Sequence, residues 1–229
     1  MIIHTPVIVL KSFPYGDTSI IARCFSKNQG KISLIIKGAR NQKSPKGAHF
    51  EPMSYIDVIY NYNPNRELHT VSKVTFIQYW SNILNDLQSI TLSMAILDMT
   101  EKTLSYEDPH PVLFSILKNV LKAFNKKKSN PNMLFWFYEC ALLNNLGFRP
   151  NLNENELPGL TLPNINTDAN IVLILNNLLS GDIEKINEYD INDKNRKVIS
   201  NYLWMLLCYH FDNLRNVKFK KVIKTILAE

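Results

Sequence analysis

The hydrophobic pattern changes character near Trp80, and that change limits the architecture more than any other feature of the chain. Ahead of it lie five short runs rich in β-branched and aromatic residues: Ile2 to Ser12, Thr18 to Phe25, Lys31 to Ile36, Met53 to Tyr62 and Glu67 to Ile77. Turn residues separate them at Pro14-Tyr15-Gly16-Asp17, Asn28-Gln29-Gly30 and Asn63-Pro64-Asn65. Runs of this kind, bounded by Gly, Pro and Asn, are strands. Five strands with one irregular basic connection, Lys37 to Phe50, predict a small closed barrel, with an open sandwich as the alternative.

Beyond Trp80 the apolar spacing becomes helical. Ile83, Leu84, Leu87, Ile90, Met94 and Leu97 recur at mostly three and four residues and predict an amphipathic helix ending near Tyr106. Further helices are expected over Val112 to Phe124, Met133 to Leu146, Ile171 to Leu179, Asp193 to Asn213 and Val217 to Leu227. Gly147, Pro150 and Gly181 stop two of them. The class is α+β: residues 1–80 as a β domain, 81–229 as an α-helical domain, with a polar loop at about 151–170.

The net charge of +6 is unevenly placed. Residues 1–80 hold seven lysines and three arginines against four acids, while the remainder is balanced. From Lys11 to Phe50 there are eight basic residues and a single acid, Asp17. A local field of that sign attracts polyanions, and nucleic acid is the favoured partner over a solubilising surface. A second basic run closes the chain. On a helix, Lys218, Lys221 and Lys224 project opposite the stripe Phe219, Val222, Ile223, Ile226 and Leu227; a plain solvated face is the competing reading.

Other classes are poorly supported. No stretch approaches the roughly 18 apolar residues of a membrane span, and the first residues do not read as a secretory signal. Cys24, Cys140 and Cys208 are odd in number and widely spaced, so a disulfide framework is not expected and a reducing cytoplasm is. The seven glycines are too sparse for a dinucleotide fingerprint. Gly30-Lys31-Ile32-Ser33 is not a phosphate-binding loop, because Ile32 parts Lys from Ser and position 25 is Phe. The five histidines are scattered, and the basic third offers only four dispersed acids. A metal-dependent nuclease needs carboxylates gathered near the basic surface. Binding without catalysis, cofactor or metal is the expectation.

The most informative stretch is Gly30 to Gly47. A strand runs directly into Lys37-Gly38-Ala39-Arg40, where two small residues permit close approach of a phosphate backbone. Lys37, Arg40, Lys43 and Lys46 follow at three-residue spacing, suited to successive phosphates rather than to base edges. With Arg23, Lys27 and Lys31 they form the candidate DNA-binding set. Tyr15, Phe25 and Phe50 are candidate stacking rings, with a core role favoured for Phe25.

These residues carry a family resemblance. Tyr15-Gly16-Asp17, Ile20-Ile21, Phe25-Ser26, Gly30-Lys31-Ile32, Lys37-Gly38-Ala39-Arg40, Ser44, Phe50-Glu51-Pro52 and Leu68-x-Thr70-Val71 resemble the N-terminal domain of the bacterial recombination mediators called RecO. Phe137-Tyr138-Glu139, Leu142-Leu143 and Leu146-Gly147-Phe148-x-Pro150-x-Leu152 are similar to that family's helical domain. The resemblance covers nearly the whole chain. It implies an OB-fold barrel followed by helices. It also implies binding of single- and double-stranded DNA and annealing of complementary strands. The implied partners are RecR, in some cases RecF, and the C-terminal tail of single-strand-binding protein, with RecA loaded indirectly. The implied setting is the bacterial cytoplasm, at the nucleoid during repair. In one respect the chain departs from the family. Many members carry a four-cysteine zinc site after the Leu-Gly-Phe-x-Pro-x-Leu motif, whereas 151–170 here holds neither Cys nor His. No zinc is therefore expected, and Leu157, Leu160 and Leu162 are expected to hold the loop by packing. The alternative from another class is a scaffolding module whose basic face serves an acidic protein.

Overall fold

In the computed structural model, which describes residues 1–41, 45–127, 129–186, 189 and 191–217, the β-rich third closes on itself. Its strands are β1 (Ile2–Tyr15), β2 (Ser19–Ser26), β3 (Gly30–Ile36), β4 (Tyr55–Asn61) and β5 (Leu68–Gln78), in the order β1-β2-β3-β5-β4 and back to β1. All neighbours are antiparallel except β3 and β5, which pair in parallel over Ser33, Leu34 and Ile35. This closed five-stranded barrel is an OB-fold, and with the helices that follow the chain is α+β. β1 runs three residues past its expected end, because Pro14 and Tyr15 still pair with Ile20 and Ser19. The turn is thus confined to Gly16-Asp17-Thr18, with Gly16 at φ +55°.

The chain divides into two compact units. The first joins Met1–Ser81 to Leu97–Lys118. Strand alternation sends Val7, Val9, Ala22, Cys24, Ile32, Leu34, Ile56 and Val58 into the barrel interior. Phe50 enters the same core from a 3-10 helix, Pro45–Phe50. The outward residues Phe25, Lys31 and Ser33 are buried as well, where Leu97–Lys118 covers them. The Phe114 ring meets Phe25 edge-on at 5.5 Å. Tyr106 bridges to Lys31 in parallel, and the Glu107 amide donates to the Lys31 carbonyl at 3.0 Å. β5 does not reach this end of β3, so the segment satisfies backbone groups that would otherwise be a bare edge.

The second unit comprises Asn82–Ile96 and the residues from Asn119 on. α1 (Leu87–Thr103) and α2 (Pro111–Lys126) belong to both units; α3 (Pro131–Asn145), α4 (Ala169–Leu178) and α5 (Asp193–His210) belong to the second. Every residue of α3 from Asn132 to Leu143 is buried, as befits a helix apolar on all sides. Asn130 caps it and Pro131 occupies the first turn. α4 and α5 pack on it and on each other. Asp168 caps α4 and also accepts from Asn195 Nδ2 at 2.6 Å, while Asn192 caps α5.

Two helix expectations need correction. The first helix begins at Leu87 rather than near Trp80, because the Asp86 carboxylate accepts from the Ser89 amide at 2.9 Å and caps it there. Its inward stripe is also rotated: Leu84, Leu87 and Met94 are exposed, while Leu92, Ile96 and Met99 are buried together with Ser89, Ser93 and Thr100. Hydropathy weighs Ser and Thr as polar, yet their small side chains pack well on a buried face, so the apolar pattern alone pointed elsewhere. The expected helix Val217 to Leu227 lies outside the described residues apart from Val217. The loop after α3 forms a two-residue hairpin, β6 (Glu156–Leu157) and β7 (Leu160–Thr161), about Pro158-Gly159, with Gly159 at φ +76° as a type II turn requires. Leu162 and Ile165 are buried, and Leu157 and Leu160 are partly so.

Candidate nucleic-acid interface

At the end of β3 the chain leaves the barrel through exposed Lys37, and Gly38 at φ +69° turns it sharply. Ala39 is buried. Arg40 is tied to the β1–β2 turn twice: its amide donates to the Thr18 carbonyl at 2.9 Å, and Nη1 donates to the Gly16 carbonyl at 3.0 Å. The 3-10 helix then returns the chain alongside. A Cβ on Gly47 would stand 2.8 Å from the Ala39 carbonyl oxygen, so only glycine permits this approach. Lys37, Arg40 and Lys46 are thereby gathered, all exposed, beside the β1–β2 turn. A guanidinium already hydrogen-bonded to backbone is held in place while its other N–H groups remain to meet phosphate.

The other candidates part from this group. Lys27 is exposed in the β2–β3 turn, at the opposite end of β3, roughly 20 Å away along a strand rising about 3.3 Å per residue. Arg23 is half-buried; its guanidinium pairs with Glu101 and lies 5.9 Å from the Phe13 ring centre. Burial disfavours its charge, but the hydrogen bond and attraction to Glu101 more than restore it. Lys31 is taken inside. It is 7% exposed, its Nζ donates to the Glu101 carbonyl at 2.6 Å, and it sits 4.5 Å from the Tyr106 ring centre. Burial lowers its pKa, with Glu101 opposing and Arg23 adding to the effect. Its place in the expected phosphate-binding set is therefore corrected: an outward strand position is surface only if nothing covers it, and Leu97–Lys118 does. Lys43, Lys218, Lys221 and Lys224 lie outside the described residues.

In OB-folds the outer face of β2 and β3 and the β1–β2 and β4–β5 loops are the usual oligonucleotide surface. Here the first unit's own helical segment occupies that face near Gly30, Lys31 and Phe25. The open part is the other end, where Lys37, Arg40 and Lys46 stand.

Of the expected stacking rings, Phe25 and Phe50 are wholly buried and only Tyr15 is exposed. Two rings that the sequence pattern does not single out, Phe76 and Tyr79, are both exposed, with His49 stacked on Phe76 at 4.1 Å and 18°. Phe76 stands in a β-rich run, where an aromatic reads as core. The signal that could have flagged it is the unbroken apolar pair Phe76-Ile77, which cannot face inward at both positions.

In the second unit an open hollow of about 390 Å³ is lined by Leu160, Trp204, Met205, Cys208, Tyr209 and Arg215. Among the described residues no group of three His, Cys, Asp or Glu side chains is placed to hold a metal ion. None of their helices is long and apolar enough to cross a membrane.

Comparison with known proteins agrees along both parts of the chain. The family model described as Recombination protein O N terminal matches residues 1–80, and Recombination protein O C terminal matches residues 84–218. The DNA repair protein RecO of Salinibacter ruber is 30% identical over 160 residues, 70% of this chain and 62% of that protein. That of Prosthecochloris aestuarii is 28% identical over 159 residues, 69% of this chain and 60% of its own. With the RecO protein of Alkaliphilus metalliredigens the likeness is 25% over 248 residues, 97% of this chain and the whole of the relative. The chain thus spans about three fifths of the first two relatives. With a five-stranded OB-fold barrel matched by one family model and the helices after it by the other, the chain belongs to the RecO family.

Proposed function

We propose that this protein acts in DNA repair and recombination as a non-catalytic mediator that binds DNA and anneals complementary single strands. The reading is supported above all by the charge: the chain's whole excess of +6 falls in residues 1–80, and three of its cations are exposed together at the open end of the barrel. Two strands awaiting annealing repel each other through their phosphates. A basic surface that displaces their counterions lowers that repulsion and raises local strand concentration. Base pairing then supplies sequence selection, so nucleotide hydrolysis is not required. On this reading residues 1–80 are the DNA-binding domain, 81–229 the helical domain, and the setting is the bacterial cytoplasm.

Family membership supports the further steps. The protein would work with RecR, and in some cases RecF, on DNA coated by single-strand-binding protein, so that RecA can be loaded. The hollow beside Trp204 and Tyr209, with Arg215 at its edge, suits an acidic partner tail ending in an apolar residue. Lys218, Lys221 and Lys224 follow closely in sequence and would add attraction for such a tail or for DNA. The test is annealing of complementary oligonucleotides coated with single-strand-binding protein. Faster annealing without nucleotide is expected. Absence of any DNA affinity at physiological salt would favour a scaffold for an acidic protein, and strand cleavage on adding magnesium would favour a nuclease.

A further inference from the structure

The first unit exposes aromatic surface where a soluble barrel would ordinarily present polar side chains. β5 pairs with β3 only as far as Thr70, and the 3-10 helix Pro45–Phe50 lies against its later part. There Phe76 is 46% exposed, and its ring is stacked with that of His49 at 4.1 Å. The register slips between Ile56 and Tyr55, leaving Ile77 unpaired between Phe76 and Gln78, and Ile77 and Tyr79 are exposed as well. A slip of this kind re-aims side chains at a strand end.

The same 3-10 helix carries Lys46, and through Gly47 it lies against Ala39, between Lys37 and Arg40. One short element therefore joins the cations at the β3 exit to the stacked ring on β5. Cations that follow a backbone, continued by an exposed flat ring, are the two components of a single-strand site. A duplex hides its base faces and gains nothing from such a ring. An unpaired base offers a face whatever its identity.

We propose that Phe76, backed by His49, is a base-stacking platform for single-stranded DNA, continuing the phosphate path of Lys37, Arg40 and Lys46. This rests on the DNA-binding reading above and adds to it a preference for unpaired strands. It also serves annealing, since a strand held by its phosphates with one base splayed onto a ring is available for pairing along its remaining bases.

The test compares Phe76→Ala and Phe76→Trp with the wild-type protein, using a labelled thymine oligonucleotide and a duplex of equal length. Phe76→Ala is expected to weaken single-strand binding at least about fivefold, as loss of one base–aromatic stack does, with duplex affinity within about twofold. Phe76→Trp is expected to keep single-strand affinity, and its fluorescence is expected to be quenched by the oligonucleotide and not by the duplex. Because the Trp variant retains a ring, it remains informative even if the alanine variant folds poorly. Equal loss for both DNA forms, no loss, or no quenching overturns the platform. So does a change in self-association with single-strand affinity intact, which would make the patch a protein contact. Lys37→Glu with Arg40→Glu separates the two levels. If that variant loses DNA and Phe76→Ala does not, only the platform falls. If the wild-type protein binds no DNA, the functional reading falls with it.

Discussion

The backbone of Asp108 lies where a side chain on Gly30 would have to go: a Cβ built on Gly30 would stand 2.2 Å from the Asp108 carbonyl oxygen. Gly30 also sits at φ +68°, a conformation that L residues seldom adopt. This contact lets Tyr106 and Glu107 dock on β3 and the first unit close over its own strand face.

Gly30→Ala is therefore expected to destabilise the first unit by about 3 kcal/mol, combining backbone strain with a clash against main chain that cannot swing aside. Gly159→Ala, at similar φ but with open space around its Cβ, should cost less. Urea unfolding followed by tryptophan fluorescence checks this, since Trp80 is buried in the first unit with Nε1 donating to the Met53 carbonyl. Equal stability of the two variants would show that the docked segment is not tight.

Lys31 and Lys37 should behave differently although both belong to the basic stretch. Lys37→Glu with Arg40→Glu is expected to weaken binding to all sequences alike. It should also flatten the salt dependence, by about 0.7 in log–log slope per lost contact for single strands and about 0.9 for duplex. Lys31→Ala should leave that slope unchanged and instead lower stability, because it removes a buried ammonium's bond to the Glu101 carbonyl. Titration of fluorescent oligonucleotides over a range of salt, beside thermal melts, distinguishes the two.

Glu139 gives the second unit a pH dependence of definite sign. It is 1% exposed, Oε2 has no hydrogen-bond partner among the described residues, and burial pushes its pKa well above the ordinary carboxylate range. The folded state thus holds a proton that the unfolded chain gives up. Its contribution to stability should fall as pH rises above the ordinary carboxylate value, by up to about 1.4 kcal/mol per pH unit, until the raised folded pKa is passed. Glu139→Gln should flatten that slope between pH 5 and 8 and be the more stable form at the upper end. Superimposable profiles for the two proteins would refute the assignment.

Metal removal should have no effect. The loop 151–170 has no Cys or His, and its hairpin is held by a backbone bond from the Leu162 amide to the Asn155 carbonyl at 2.8 Å and by burial of Leu162 and Ile165. The purified protein is expected to lack stoichiometric zinc and to melt at the same temperature with and without a chelator. About one zinc per chain by elemental analysis would contradict this.

Local patterning in this chain was enough to read the five strands, because alternation and turn residues act within a few positions. The turns at Gly16 and Gly30, the helix of α3 and the concentration of charge ahead of Trp80 were legible for the same reason, whereas the turn at Gly38 was not. Other properties depend on which distant segment comes to rest on a given face. Lys31 and Phe25 alternate outward on their strands and are buried only because Leu97–Lys118 docks there. Phe50 and Phe76 are alike as residues in aromatic surroundings, yet one enters the barrel core and the other stays in solvent. The stripe of α1 was misread because Ser89, Ser93 and Thr100 count as polar in a pattern and as small in a packed interior. Periodicity encodes which side of an element a residue faces; whether that side meets water or protein is set by contacts between residues many tens of positions apart.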